Sequence, residues 1–163
     1  MALLNNGPAP RPSHTVPAMH TITLRFLAHS HSPRAGGRVP GGKVLDWVDE
    51  AGAACAGAWA HGDCVVAFLG NVHFLRPVHP GELVEVRAHL AFTGETSMGL
   101  AIEVHTGAVG AELHAVLHCA AVYVALDPDG APRAVDRFSP ETPGDMALAQ
   151  RVQAQIAAAQ AAQ

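Results

Sequence analysis

Two adjacent glycines, Gly41 and Gly42, stand at the start of a stretch of sequence with helical periodicity. The first amide groups of a helix lack partners within the helix and carry a partial positive charge. With no side chains in the way, these glycines would let a carbonyl oxygen approach the amides closely, as in an oxyanion hole. The pair is also consistent with a turn that needs glycine only for its backbone freedom, and spacing alone favours that simpler interpretation.

Asp49 is the second residue whose position could support chemistry. It follows Gly42 by seven residues, which places it about 10 Å further along a helix. By angle it falls on the helix flank, between the apolar face and the solvent side that carries Asp46 and Glu50. It is too distant to act at the N-terminus of its own helix, but it could act at that of a second subunit packed antiparallel. The alternative, which the sequence alone favours, is an ordinary surface carboxylate.

The histidines do not indicate a metal site, although the chain has 11 of them. His114 and His118 would lie about 13 Å apart on one strand, and His29 with His31 is a single close pair. The sequence has no Gly-x-Ser-x-Gly element, no phosphate-binding loop ending in Lys-Ser/Thr and no paired cysteine motif. Serine-triad hydrolysis, nucleotide hydrolysis and zinc chemistry are therefore disfavoured, and we expect neither a metal nor a cofactor.

Both candidate features belong to one predicted helix that starts at Gly41 and ends near His61 and Gly62. At about 100° per residue, the large apolar residues fall on one face. Small residues elsewhere permit close packing against a flat surface, and a histidine followed by glycine is typical of a helix C-terminus. The predicted apolar face contains Val44, Leu45, Val48, Cys55 and Trp59.

Alternation of apolar and polar residues predicts one strand before this helix and four after it. Short connections predict that the last four strands are antiparallel neighbours. The concave face of their sheet is the surface that can bury the helix, so the predicted fold class is α+β, a five-stranded antiparallel sheet wrapped around a central helix. The strands are predicted at 19–28, 64–78 with a bulge at Gly70, 82–93, 98–105 and 111–126, and the inward row of the third is Val84, Val86, Ala88, Leu90 and Phe92.

Three segments are predicted along the chain. Residues 1–18 are rich in Pro, Asn and Ala without periodicity and are predicted to form a flexible arm, followed by a folded domain at 19–130. In the extension at 131–163, Thr142 and Asp145 are typical of a capped helix start. The helix that follows has few large apolar residues, so we expect it on the surface.

Composition narrows the function classes. The 163 residues are 49% hydrophobic with a formal net charge of -4, and the 10 basic residues are scattered, which disfavours nucleic acid as a partner. No apolar stretch reaches the roughly 20 residues of a membrane span, so we expect no membrane partner.

Cys55, Cys64 and Cys119 are interpreted as free thiols of a cytoplasmic protein. Open strand edges predict a dimer.

Taken together, several short motifs resemble the hotdog-fold acyl-CoA thioesterases, in the branch of the bacterial and brain-type cytosolic acyl-CoA hydrolases. The similarity spans roughly residues 20–127. The motifs are Gly41-Gly42, Asp49-Glu50-Ala51, Ala60-His61-Gly62, Phe74-Leu75-Arg76-Pro77-Val78 with Gly81, and Thr96-Ser97-Met98.

The resemblance implies a double hotdog that assembles to a tetramer or hexamer and hydrolyses the thioester of acyl-CoA to free fatty acid and CoA. It implies that Gly41 and Gly42 lie beside the thioester carbonyl, with the Gly42 amide stabilising the oxyanion. Asp49 is implied as the catalytic carboxylate, supplied across the dimer interface as general base or nucleophile. The predicted substrate-binding residues are Gly41, Arg38, Lys43, Arg76 and Ser97.

One departure from the family pattern concerns the residues before the helix. Relatives often carry Asn a few positions before the two glycines, whereas Arg38 stands there in this chain. The departure motivates a second hypothesis, a non-catalytic acyl-CoA-binding or sensing protein on the same fold. A third, a hotdog dehydratase, would need a histidine beside the acid, and the first three helical turns contain none.

Overall fold

In the computed structural model, residues 19–29 and 37–162 are described. The predicted arm at 1–18 and His31 therefore lie outside the described residues. The elements in chain order are β1 (Thr21–Leu27), α1 (Gly41–Ala60), β2 (Cys64–Gly70), β3 (Leu83–Thr93), β4 (Ser97–Gly107), β5 (His114–Ala125) and α2 (Pro143–Ala161).

The strands form one antiparallel sheet in the order β1-β3-β4-β5-β2. This confirms the predicted α+β class with five antiparallel strands and a central helix. The prediction that the last four strands are consecutive neighbours is wrong for β2, which pairs with β5 at the far edge. The reason is its long connection to β3, which allows the chain to cross the sheet instead of turning back as a hairpin.

Strand β2 is also shorter than predicted, ending at Gly70 instead of Val78. Asn71 adopts a left-handed backbone with φ of 58°, which turns the chain away from the sheet. The irregularity in the strand lies between Val66 and Phe68, so the predicted bulge at Gly70 is wrong. Beyond the strand, the chain forms a loop that carries Phe74 to Val78 towards the start of α1.

Helix α1 packs its apolar face on the concave side of the sheet, as predicted. In the first turns Trp47 is buried beside Val44 and Val48, whereas the predicted Leu45 is half-buried. The Trp47 ring stacks on Phe26 of β1 at 5.4 Å between centroids. The helix ends with His61 in the left-handed conformation, φ 53°, so histidine occupies the position that glycine usually takes. The buried residues of the helix are Val44, Trp47, Val48, Ala51, Gly52, Cys55, Ala56 and Ala60.

The outer face of the sheet is covered by α2. The predicted helix start is confirmed, since Thr142 and Asp145 form a reciprocal capping box. Val152 and Ile156 of α2 pack against Ala91 on β3, so one side of this helix is buried. Phe92 joins this outer cluster because the register of β3 shifts between Leu90 and Phe92, and the prediction that it points inward is wrong.

The chain between β5 and α2 is held against the sheet. Arg133 donates from Nε to the Leu126 carbonyl at 3.0 Å and from its terminal nitrogen to the Ala60 carbonyl at 2.6 Å. The Phe138 amide donates to the Thr93 hydroxyl at 2.9 Å. The domain limit at residue 130 stays a prediction.

All three cysteines are free, with Cys55 and Cys119 buried. Burial raises the pKa of the Cys55 thiol to about 11 and that of Cys119 to about 12, so little reactive thiolate exists at neutral pH. We expect three alkylated cysteines after denaturation without reductant, and slow alkylation of Cys55 and Cys119 in the native protein. Mass spectrometry measures both, and a native mass short of two protons would contradict the assignment.

Candidate active site

The start of α1 leaves backbone amides free. The residue before the helix is Pro40, which provides no side-chain cap, and the amides of Lys43 and Val44 turn back to its carbonyl at 3.0 and 3.3 Å. The amides of Gly41 and Gly42 therefore have no acceptor within the described part of the chain. Two adjacent donors at the positive end of a helix suit an oxygen that gains negative charge.

The two glycines differ in their surroundings. A β-carbon at position 41 would lie 3.4 Å from Cζ of Phe74, so the Phe74 ring already occupies the space beside Gly41. A β-carbon at position 42 would meet no atom within 4 Å. Of the two, Gly42 is the one with open space beside its α-carbon.

A cleft of about 400 Å³ lies between the start of α1 and the loop after β2. It brings together three predicted substrate-binding residues, namely Arg38, Arg76 and Gly41. Both arginines are exposed at its rim, where they can meet an anionic group, while Val44 and Phe74 supply apolar wall. The complete lining is Arg38, Val39, Gly41, Val44, Phe74, Leu75, Arg76, Pro77 and Val78.

Asp49 lies midway along α1 and is exposed, as are Asp46 and Glu50. Exposure in a single chain therefore does not set it apart, but its hydrogen bonding does. Oδ1 of Asp49 accepts a hydrogen bond of 2.9 Å from the hydroxyl of Tyr123. Among the acidic residues of α1, all of which the structure describes, Asp49 is the one bonded to a side chain from the sheet.

Tyr123 belongs to β5 and is 1% exposed. Burial, and then the hydrogen bond to the Asp49 carboxylate, raise its pKa far above the usual range, so it remains a neutral donor. Sequence reasoning missed this residue. The signal was nevertheless present, because the only tyrosine of the chain stands in an apolar strand, and a buried tyrosine hydroxyl usually has a hydrogen-bond partner.

The structure does not bring the remaining candidates to the cleft. Lys43 lies with Nζ 5.5 Å from the Trp47 ring centroid and lines a separate cleft with Arg25 and His29. Ser97 begins β4, opposite Val124. Gly42 and Asp49 are also absent from the lining of the cleft, which includes only Gly41 of the two glycines. One chain therefore holds the uncapped start of α1 and the hydrogen-bonded carboxylate of Asp49 at different places.

Two further properties concern the described residues alone. They contain no group of three or more His, Cys, Asp or Glu side chains that could hold a metal ion. Neither helix is long and apolar enough to cross a bilayer.

Comparison with known proteins connects this geometry to a family. Residues 36–111 match the model of the Thioesterase superfamily. The acyl-CoA thioester hydrolase YciA of Escherichia coli (strain K12) is 35% identical over 127 residues, covering 76% of this chain and 96% of the relative.

Solved structures that resemble this chain are also thioesterases. An apo-hexameric acyl-CoA thioesterase superposes with a TM-score of 0.77 at 26% identity, covering 84% of this chain and 88% of that one. The hexameric thioesterase y2039 from Yersinia pestis superposes with a TM-score of 0.66 at 32% identity, covering 69% and 93%. The hotdog fold is thus confirmed, and the chain belongs to the acyl-CoA thioester hydrolases of the Thioesterase superfamily.

Proposed function

We propose that this acyl-CoA thioester hydrolase cleaves its substrate between Asp49 of one protomer and the Gly42 amide of a partner. The observation that carries the proposal is the fixed carboxylate of Asp49, since a buried hydroxyl holds one of its oxygens. The Gly42 amide, which has no acceptor within the described part of the chain, supplies the complementary charge. A separation of about 10 Å along one helix requires that the two groups come from different chains.

The reaction can proceed in two ways, which the residues do not distinguish. As a general base, Asp49 accepts a proton from water while the water oxygen attacks the thioester carbonyl carbon. As a nucleophile, the carboxylate itself attacks and forms an anhydride that water then opens. In both routes negative charge develops on the carbonyl oxygen beside the Gly42 amide. The carbon–sulfur bond breaks, and the thiolate takes the proton that the water supplied, giving a free fatty acid and CoA.

We infer that the cleft at the start of α1 binds part of the substrate. Arg38 and Arg76 lie at its rim and are suited to the CoA phosphates, because guanidinium groups bind phosphate in a planar, two-point geometry. Lys43, which lies over Trp47, and Ser97 are weaker candidates for substrate contact.

The assembly proposed for this function is a dimer that pairs its β2 edges, and that further associates to a tetramer or hexamer. At this edge Val65, Val66 and Leu69 are 46%, 39% and 37% exposed, whereas the β1 edge exposes the polar side chains of Thr23 and Arg25 and one large apolar residue, Leu27, at its end. An apolar open edge strand favours pairing with another copy.

Light scattering at micromolar concentration is expected to show no species smaller than a dimer, and an active monomer would contradict this.

The function is tested by thiol release from a series of acyl-CoA substrates of increasing chain length. We expect release for at least part of the series, with the preferred length reported by kcat/KM. Binding of acyl-CoA without any thiol release would instead support the non-catalytic alternative that Arg38 motivates. We expect the enzyme to work in the cytoplasm, without a metal or cofactor.

A further inference from the structure

We propose that Tyr123 is a positioning residue that holds the carboxylate of Asp49 in one orientation for the reaction. The inference rests on the proposed role of Asp49 and adds a residue of β5, on the sheet against which α1 packs. Tyr123 does not reach the cleft at the start of α1, so it acts through Asp49 and not on the substrate.

The first observation is the geometry of the hydrogen bond. The Tyr123 hydroxyl lies 2.9 Å from Oδ1 of Asp49 and 3.3 Å from the Asp49 backbone carbonyl. Its single proton goes to the closer and charged oxygen. Oδ2 has no partner among the described residues. Because the bond from Tyr123 occupies Oδ1, Oδ2 is the oxygen left to take a proton or to attack. One bond therefore selects both the side-chain rotamer and the reactive atom.

The second observation is that α1 makes room for this bond at Gly52. A β-carbon at position 52 would lie 2.6 Å from Cζ and 2.7 Å from Cε2 of Tyr123, well inside van der Waals contact. Gly52 follows Asp49 by three residues, so the two share one face of the helix. The tyrosine ring passes over the helix at the glycine and delivers its hydroxyl to the carboxylate.

The third observation is the contrast between the two ends of the bond. Tyr123 is fixed in the core, where Met98 and Val66 are its partners on the neighbouring strands. Asp49 is exposed, and a free surface carboxylate samples several rotamers. Anchoring an exposed group to a rigid core group is how a catalytic side chain is kept in a productive geometry.

The test is a double-mutant cycle between Tyr123→Phe and Asp49→Asn. Tyr123→Phe keeps the ring, and water can replace the hydroxyl at the exposed carboxylate, so the fold should persist. We expect kcat to fall about tenfold, the scale for losing one hydrogen bond to a charged group, with KM within about twofold. In the Asp49→Asn background, Tyr123→Phe should cause no further loss.

Glu50→Gln is the matched control background, since Glu50 is exposed on the same helix and does not contact Tyr123. In the Glu50→Gln background, Tyr123→Phe should still lower kcat by the full factor of about ten. Gly52→Ala is an independent variant, because alanine favours the helix but displaces the tyrosine ring. It should lower kcat by a similar factor.

A spectroscopic measurement reports the bond without activity. As the chain has a single tyrosine, labelling tyrosine with ¹³C at Cζ gives one resonance. It should shift in Asp49→Asn, where the acceptor becomes a neutral amide instead of a carboxylate, and stay in Glu50→Gln. The proposal is overturned if kcat of Tyr123→Phe stays within about twofold of wild type, if the loss is equally large in the Asp49→Asn background, or if the resonance does not shift. If Asp49→Asn itself stays active, the proposed role of Asp49 fails instead.

Discussion

Replacing Asp49 with asparagine is expected to lower turnover by about 10² or more, the usual scale for losing a general base. Asparagine has nearly the same size, and its amide oxygen can still accept the hydrogen bond from Tyr123. It cannot take a proton from water, and it is a poor nucleophile. The melting temperature and the Kd for acyl-CoA should therefore change little, and the measurement combines kcat, Kd and Tm.

Asp46→Asn is the matched control for this variant. Asp46 is an exposed aspartate on the same helix, about 60° further round, and forms no hydrogen bond to the sheet. Its replacement should leave kcat near the wild-type value. If Asp49→Asn keeps most of the activity, or if Asp46→Asn loses as much, then Asp49 is a structural residue and not a catalytic one.

The parts of the fold that follow from local pattern were predicted from the sequence. Helical periodicity gave the start of α1 at Gly41 and the buried Val44, Val48 and Cys55. The capping box of α2 was predicted because its two residues lie three positions apart. In each case the determining interactions lie within one or two turns of chain.

What the sequence did not reveal depends on contacts between distant segments. Tyr123 and Asp49 are 74 positions apart, and no pattern within either element indicates their bond. The place of β2 at the sheet edge follows from the path of a long loop. Similarly, the surroundings of Gly41 and Gly42 differ because of Phe74, which lies in the loop between β2 and β3.

The second large effect is expected at Gly42. Gly42→Pro removes the amide N–H that is proposed to stabilise the oxyanion, and proline is tolerated in the first turn of a helix. We expect kcat to fall by about 10² to 10³, the range for losing one oxyanion donor, with Tm largely retained. Gly42→Ala is the matched control, because it keeps the amide and its β-carbon meets no atom within 4 Å.

The comparison separates two roles of the glycine. If alanine retains much more activity than proline, the amide is the functional group. If the Gly42→Ala variant loses as much activity as the Gly42→Pro variant, the absence of a side chain at this position matters more than the hydrogen bond from its amide. Proline with full activity and an unchanged Tm would remove Gly42 from the mechanism.

The two variants together test whether the site is shared between protomers. Asp49→Asn and Gly42→Pro chains are each expected to be nearly inactive. A mixed dimer, however, contains one site with both residues intact and one with neither, if the residues come from different chains. Random mixing through co-expression should then restore about a quarter of wild-type activity. The length of helix between Asp49 and Gly42 does not allow both to act on one thioester within a single chain, so no recovery in purified mixed dimers would overturn the proposed shared site.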